Sequence, residues 1–273
     1  MTQKIIGQDA LINEVSKIVQ IFVASKGEIR PHLILTGTSG SGKSITIKAI
    51  ASQHKLSVIE VNAAQLTKEG TSGNSLSKAL SPLIQLGGKP AICFVDEWDK
   101  LFISGNSNDS FAHETCTGVQ NEFLKVLESD TACVFGDYGK YINVNSANVL
   151  FVFAGAFNGE QGITLDRLRE LGMKTEFLGR VGLVYNTKPL TLEELYAITD
   201  NSELLEKYML LFENVDKEQV TYAIKAYLRD TYENNTLGAR LINTLVHQYF
   251  IKGKLEQEVV KEITFQKKLT LSK

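Results

Sequence analysis

Gly37-Thr38-Ser39-Gly40-Ser41-Gly42-Lys43-Ser44 decides how the chain is read. The pattern is G-x-x-x-x-G-K-[ST], the phosphate-cradling P-loop. His32-Leu33-Ile34-Leu35 before it is a short apolar run that reads as a buried strand, and Ile45 to Ala51 after it reads as a helix. Strand, loop and helix are the context the motif needs. Glycines allow backbone angles that a side chain forbids, so successive N–H groups can face one phosphate. The helix N-terminus adds partial positive charge. Thr38, Ser39, Gly40, Ser41 and Gly42 are thus read as the cradle. Lys43 is read as the group that reaches the β- and γ-phosphates, and Ser44 as the hydroxyl that ligates Mg²⁺. A flexible Gly/Ser linker is the competing reading, and the flanking strand and helix weigh against it.

Downstream, Ala91-Ile92-Cys93-Phe94-Val95 is the continuous apolar run expected of a central parallel strand. It ends in Asp96-Glu97. A carboxylate at a strand end beside a P-loop holds Mg²⁺ through its waters, and a second one can orient and deprotonate the attacking water. Asp96 is therefore assigned to the metal and Glu97 to the catalytic base. Two solvated acids after a strand are the bland alternative. The P-loop about 50 residues upstream favours the functional one.

The remaining pattern surrounds these two motifs. Leu11, Val15, Ile18, Val19 and Phe22 recur at helical spacing. Leu56 to Val61, Val149 to Ala154 and Val181 to Tyr185 read as further strands. Leu76, Leu80, Leu83, Ile84 and Leu86 read as a helix ended by Gly87-Gly88-Lys89-Pro90. Leu101 to Thr117, rich in Ser, Asn and Gly, reads as a mobile loop before a helix carrying Val119, Phe123, Leu124, Val126 and Leu127. Val134 to Val144 suggests a hairpin around Gly136 to Gly139. From Lys188 every apolar run has helical spacing, with Thr191 as an N-cap before Glu193-Glu194. The expected division is residues 1–187 and residues 188–273.

Composition narrows the class. The chain has 273 residues, 43% hydrophobic and 22% charged, which suits a soluble globular protein with a sizeable core. A net charge of −2 gives no global attraction to nucleic acid or anionic lipid, although a local basic patch stays open. Cys93, Cys116 and Cys133 lack zinc-knuckle spacing and suggest no disulfide framework, so a reducing cytoplasm is the expected setting. The start is too quickly polar for a signal peptide, and no apolar stretch approaches the ~20 residues of a membrane span.

These motifs, in this order, resemble the AAA+ ATPases, and more narrowly the ClpX/HslU-like Clp unfoldase group. The resemblance covers nearly the whole chain. Ile5-Ile6-Gly7-Gln8 is similar to the family's opening motif, which implies that Ile5 and Ile6 cradle adenine. Gly118-Val119-Gln120 with Phe123-Leu124-Lys125 is similar to the helix before the pre-sensor hairpin, and Val149 to Phe157 to the sensor-1 strand. Glu176-Phe177-Leu178-Gly179-Arg180 is similar to the arginine-finger box, which implies that Arg180 acts on a neighbouring subunit's nucleotide. Leu237-Gly238-Ala239-Arg240 is similar to the sensor-2 motif, which implies that Arg240 touches bound ATP from a helical lid.

The implied fold is α/β: a P-loop domain with a five-stranded parallel sheet, then a small all-helical lid. The implied activity is hydrolysis of Mg²⁺-ATP by a homo-oligomeric ring, most simply a hexamer, that remodels a protein client. A nucleic-acid motor or loader, and a nucleotide-gated scaffold, remain alternatives. Three departures matter. A zinc-binding domain ahead of the ATPase is not expected. Phe157 to Leu165 is short and holds no Ile-Gly-Phe loop, so a peptidase partner is not expected. The place of the aromatic pore loop reads Gly70-Thr71-Ser72-Gly73, which leaves the segment from Phe102 to Phe111 as another source of grip. Ala154-Gly155-Ala156 offers no polar sensor-1 side chain, and Asn158 is a weak substitute.

Overall fold

The computed structural model describes residues 5–68, 73–102, 110–136, 139–212, 215–253 and 255, with side chains left undescribed for 110–116. Thr71, residues 103–109 and the side chain of Phe111, where the sequence reading sought gripping loops, fall outside that description.

Five parallel strands form the main sheet: β1 (Leu33–Thr36), β2 (Ser57–Asn62), β3 (Ala91–Asp96), β6 (Val149–Gly155) and β7 (Leu183–Asn186), in the order β2-β3-β6-β1-β7. β1, β3 and β6 are apolar at almost every position because the sheet is covered on both faces. Successive residues alternate between two cores. Ile92, Phe94 and Val152 pack with α1 (Asp9–Ala24) and α2 (Lys43–Gln53), while Cys93, Val95 and Phe153 pack with Trp98, Phe123 and Phe177. A separate hairpin, β4 (Thr131–Phe135) with β5 (Tyr141–Asn145), stands where the turn residues predict it.

β1 begins one residue too late to satisfy the longer β6. His32, 7% exposed, supplies the missing acceptor: its Nδ1 accepts the N–H of Phe151 at 3.1 Å. Burial, and then the charge of Arg30, lower the imidazole pKa from 6.5 to about 3.

Two sequence expectations are corrected. The run from Leu76 to Leu86 is two short helices, α3 (Leu76–Ala79) and α4 (Leu83–Leu86). Pro82 stands between them, lacks an N–H and disfavours helical angles at Ser81. The Leu101–Thr117 stretch is not wholly loop, because α5 starts at Ser110 and runs to Glu128. Once the amphipathic part is helical, extending it costs little, and polar residues do not stop it.

Beyond Thr187 four helices form their own apolar cluster: α8 (Leu192–Asp200), α9 (Glu203–Leu211), α10 (Lys217–Thr231) and α11 (Arg240–Lys252). Thr191 caps α8 through a full capping box with Glu194. Among the described residues, no helix is long and apolar enough to cross a membrane.

Candidate nucleotide site

The P-loop closes the gap between β1 and α2. Gly37 (φ 135°), Gly40 (φ 71°) and Gly42 (φ 99°) all take left-handed angles. A Cβ on Gly37 would come within 1.8 Å of Thr187 Oγ1, so that position excludes any side chain. Lys43, the first residue of α2, is buried, and its Nζ donates to the carbonyls of Gly37 at 2.6 Å and Thr38 at 3.0 Å. Burial lowers the pKa of this ammonium, and the carboxylates of Asp96 and Asp99 oppose that shift. Two carbonyls of the loop thus hold the lysine head group inside it.

β3 delivers the acids. Ser44 Oγ lies 3.4 Å from Asp96 Oδ2, a hydroxyl beside a carboxylate oxygen, which is the pair of hard donors a Mg²⁺ ion needs. Asp96 Oδ1 also accepts the N–H of Glu97 at 2.9 Å. Glu97 has φ 56°, a left-handed angle that costs a residue with a side chain ~1–2 kcal/mol. Such strain persists where the surroundings over-determine it. Here it turns the chain sharply after Asp96, and both acids line one pocket.

That pocket holds about 580 Å³. At one end lie Ser39 to Ser44 with Asp96 and Glu97, and apolar lining comes from Ile5, Ile6, Leu190, Ile198 and Ile242. Polar cradle and apolar slot in one cavity fit the two halves of a nucleotide. The helical unit closes the cavity. Arg240, at the start of α11, donates from Nη1 to Ser39 Oγ at 2.8 Å. The N–H of Ala239 donates to the carbonyl of Gly40 at 3.2 Å. A Cβ on Gly40 would meet the Leu237 carbonyl oxygen at 2.0 Å, so loop and lid touch backbone to backbone.

The other expected residues are placed as follows. Thr38 contributes its carbonyl to Lys43 and is not part of the pocket wall. Arg180 ends α7 (Thr175–Arg180), lies away from its own chain's pocket, and pairs with Glu128 at 3.0 Å. Asn158 is exposed and does not line the pocket. Sequence reasoning left three contributors without a role. Gln8 is buried, and its amide both donates to the Lys188 carbonyl at 2.8 Å and accepts the Lys188 N–H at 3.1 Å. Thr187 Oγ1 lies 2.8 Å from Ser41 Oγ and 3.1 Å from the Thr36 carbonyl. Asp99 is 1% exposed and faces the pocket. The first belongs to the Ile5-Ile6-Gly7-Gln8 motif and the third is the next acid after Glu97, so both signals were present in the sequence.

Residues 33–159 match the ATPase family associated with various cellular activities (AAA). With the sheet order and the P-loop pocket, that match makes residues 33–159 an AAA ATPase domain, one that hydrolyses ATP. Within the class it is ClpX-like. The ATP-dependent Clp protease ATP-binding subunit ClpX of Bacteroides fragilis is 26% identical over 90% of this chain and 72% of its own length. ClpX of Bacteroides thetaiotaomicron is 25% identical over the same shares. ClpX of Treponema denticola is 24% identical over 88% of this chain and 70% of its own length.

Proposed function

We propose that the protein couples ATP hydrolysis to the remodelling of a protein client as a hexameric ring in the cytoplasm. The carrying observation is the single pocket into which the P-loop, Asp96, Glu97 and the lid residue Arg240 all converge. Residues 1–187 act as the nucleotide-binding domain and residues 188–273 as the lid, so a change in bound nucleotide moves one against the other.

Lys43 and the loop N–H groups hold the phosphates, Ser44 and Asp96 hold Mg²⁺, and Ile5 and Ile6 bound the base. The metal supplies charge neutralisation at the phosphates when bound. Glu97 takes the proton of the attacking water. Arg180, outside its own pocket, serves the next subunit. Phosphoryl transfer needs positioning and charge stabilisation more than covalent help, and this residue set supplies both. The weak apolar grip of Thr71 favours one dedicated client over general unfolding for a peptidase.

Two variants test the reading. Lys43→Ala should lose ATP binding. Glu97→Gln should bind ATP and lose turnover by ~10²–10⁴-fold, because an amide cannot accept the proton. In ATP, Glu97→Gln should retain a protein client that Lys43→Ala does not. Equal turnover by wild type and Glu97→Gln would overturn the assignment.

A further inference from the structure

β6 ends in Ala154-Gly155, and neither these residues nor Ala156 after them offers a polar side chain toward the reaction. The structure brings one there from elsewhere. Asp99 sits in the 3₁₀ turn Trp98–Leu101 that follows β3. It lines the nucleotide pocket together with Asp96, Glu97 and Ala156. Its Oδ2 accepts the N–H of Phe157 at 3.2 Å. Its Oδ1 lies so close to Gly155 that a Cβ there would approach to 2.7 Å. The Phe157 ring would lie equally close, its Cε2 also at 2.7 Å, so Asp99 and Phe157 together leave room only for glycine.

The segment it grips is strained. Phe157 (φ 46°) and Asn158 (φ 55°) both adopt left-handed angles although both carry side chains. Such a turn persists only when its neighbours hold it. The Phe157 ring is buried, and Asp99 holds the amide of the same residue.

We propose that Asp99 is a positioning residue for hydrolysis: it replaces the polar side chain that β6 lacks, by fixing the Ala156–Asn158 turn against the pocket wall that Glu97 shares. The inference rests on Glu97 as the base of the same site.

The test separates the two. Asp99→Asn keeps an oxygen that can accept from Phe157, whereas Asp99→Ala keeps none. In the nucleotide-free chain, amide hydrogen exchange at Phe157 should be at least ~10-fold faster in Asp99→Ala and near wild type in Asp99→Asn. In steady state, Asp99→Ala should lower kcat by ~10–100-fold with KM within about threefold, and Asp99→Asn should recover most of that loss. If Asp99→Ala does not fold, Gly155→Ala, whose new methyl crowds both the carboxylate and the Phe157 ring, should reproduce the fall in kcat together with the faster exchange at Phe157. Wild-type exchange at Phe157 in Asp99→Ala overturns the proposal, as does a loss confined to KM. Full turnover by Glu97→Gln would sink the base assignment and leave the exchange result on Asp99 standing.

Discussion

Arg240 reaches across 201 positions of sequence to donate to the hydroxyl of Ser39, 2.8 Å away. The contact joins the first turn of α11 to the P-loop, and Ala239 repeats it through the backbone of Gly40. The helical unit is therefore seated directly on the P-loop.

Arg240→Ala should weaken nucleotide binding. It removes a cation beside the phosphate cradle, and hydrogen bonds to charged groups contribute ~1.5–3 kcal/mol. The dissociation constant of a fluorescent ATP analogue should rise by ~10–100-fold. An unchanged constant would remove Arg240 from the site.

Gln8→Ala should loosen the hinge. The substitution removes two part-buried hydrogen bonds to the backbone of Lys188, each contributing ~0.5–1.5 kcal/mol. The denaturation midpoint should fall, and KM for ATP should rise more than kcat changes, because Ile5 and Ile6 lose their tether to the lid. Gln8→Glu keeps the acceptor but not the donor and should fall between the two. A KM equal to wild type in Gln8→Ala would separate the clamp from nucleotide binding.

The neutral imidazole of His32 makes folding sensitive to mild acid. Its pKa is about 3 in the folded chain against 6.5 when unperturbed, so between those values the unfolded state binds a proton that the folded state does not. Stability from this group is whole above pH 6.5 and is lost as pH falls toward 3, with a slope of up to ~1.4 kcal/mol per pH unit. Between about pH 5 and 6.5 most carboxylates stay ionised, which isolates the histidine. Urea midpoints across that window should fall for wild type and stay flatter for His32→Asn, whose side-chain oxygen can still accept from Phe151. Parallel slopes would contradict the assignment.

Arg180 pairs with Glu128 on the surface, and exposed pairs contribute only ~0–1 kcal/mol, so breaking this one costs little. Arg180→Ala and Lys43→Ala subunits should each be inactive alone. Mixed in equal amounts, about a quarter of the interfaces in a random ring pair an intact Lys43 with an intact Arg180. The mixture should regain roughly that share of ATPase activity. No recovery in a mixture shown to co-assemble would refute action across the interface.

The P-loop and the Asp96-Glu97 strand end were legible because each is a local pattern: a strand, a fixed spacing, a helix. The helical C-terminal region was legible for the same reason, since residues such as Val220, Ile224 and Leu228, and Ile242, Leu245 and Val246, recur at helical spacing. What escaped the sequence are bonds between one side chain and a remote backbone group: Gln8 with Lys188, His32 with Phe151, Asp99 with Phe157. Neither composition nor periodicity marks such pairs, because the backbone partner can be any residue. Asp99 shows the cost. The missing polar residue of β6 was sought along β6 itself, at Asn158, while the carboxylate arrives from the turn after β3.

Trp98, the single tryptophan of the chain, follows Glu97 and lies fully buried, stacked on Phe177 at 4.9 Å in the same helix that ends in Arg180. Among the described residues its indole N–H has no hydrogen-bond partner, and its neighbours Phe123 and Phe153 are aromatic. The chain thus carries its own optical reporter, one chromophore between the strand end that bears the acids and the helix that bears the arginine. Its emission starts from an apolar, short-wavelength baseline, and a shift in colour or intensity during turnover would report movement along that line without any added label.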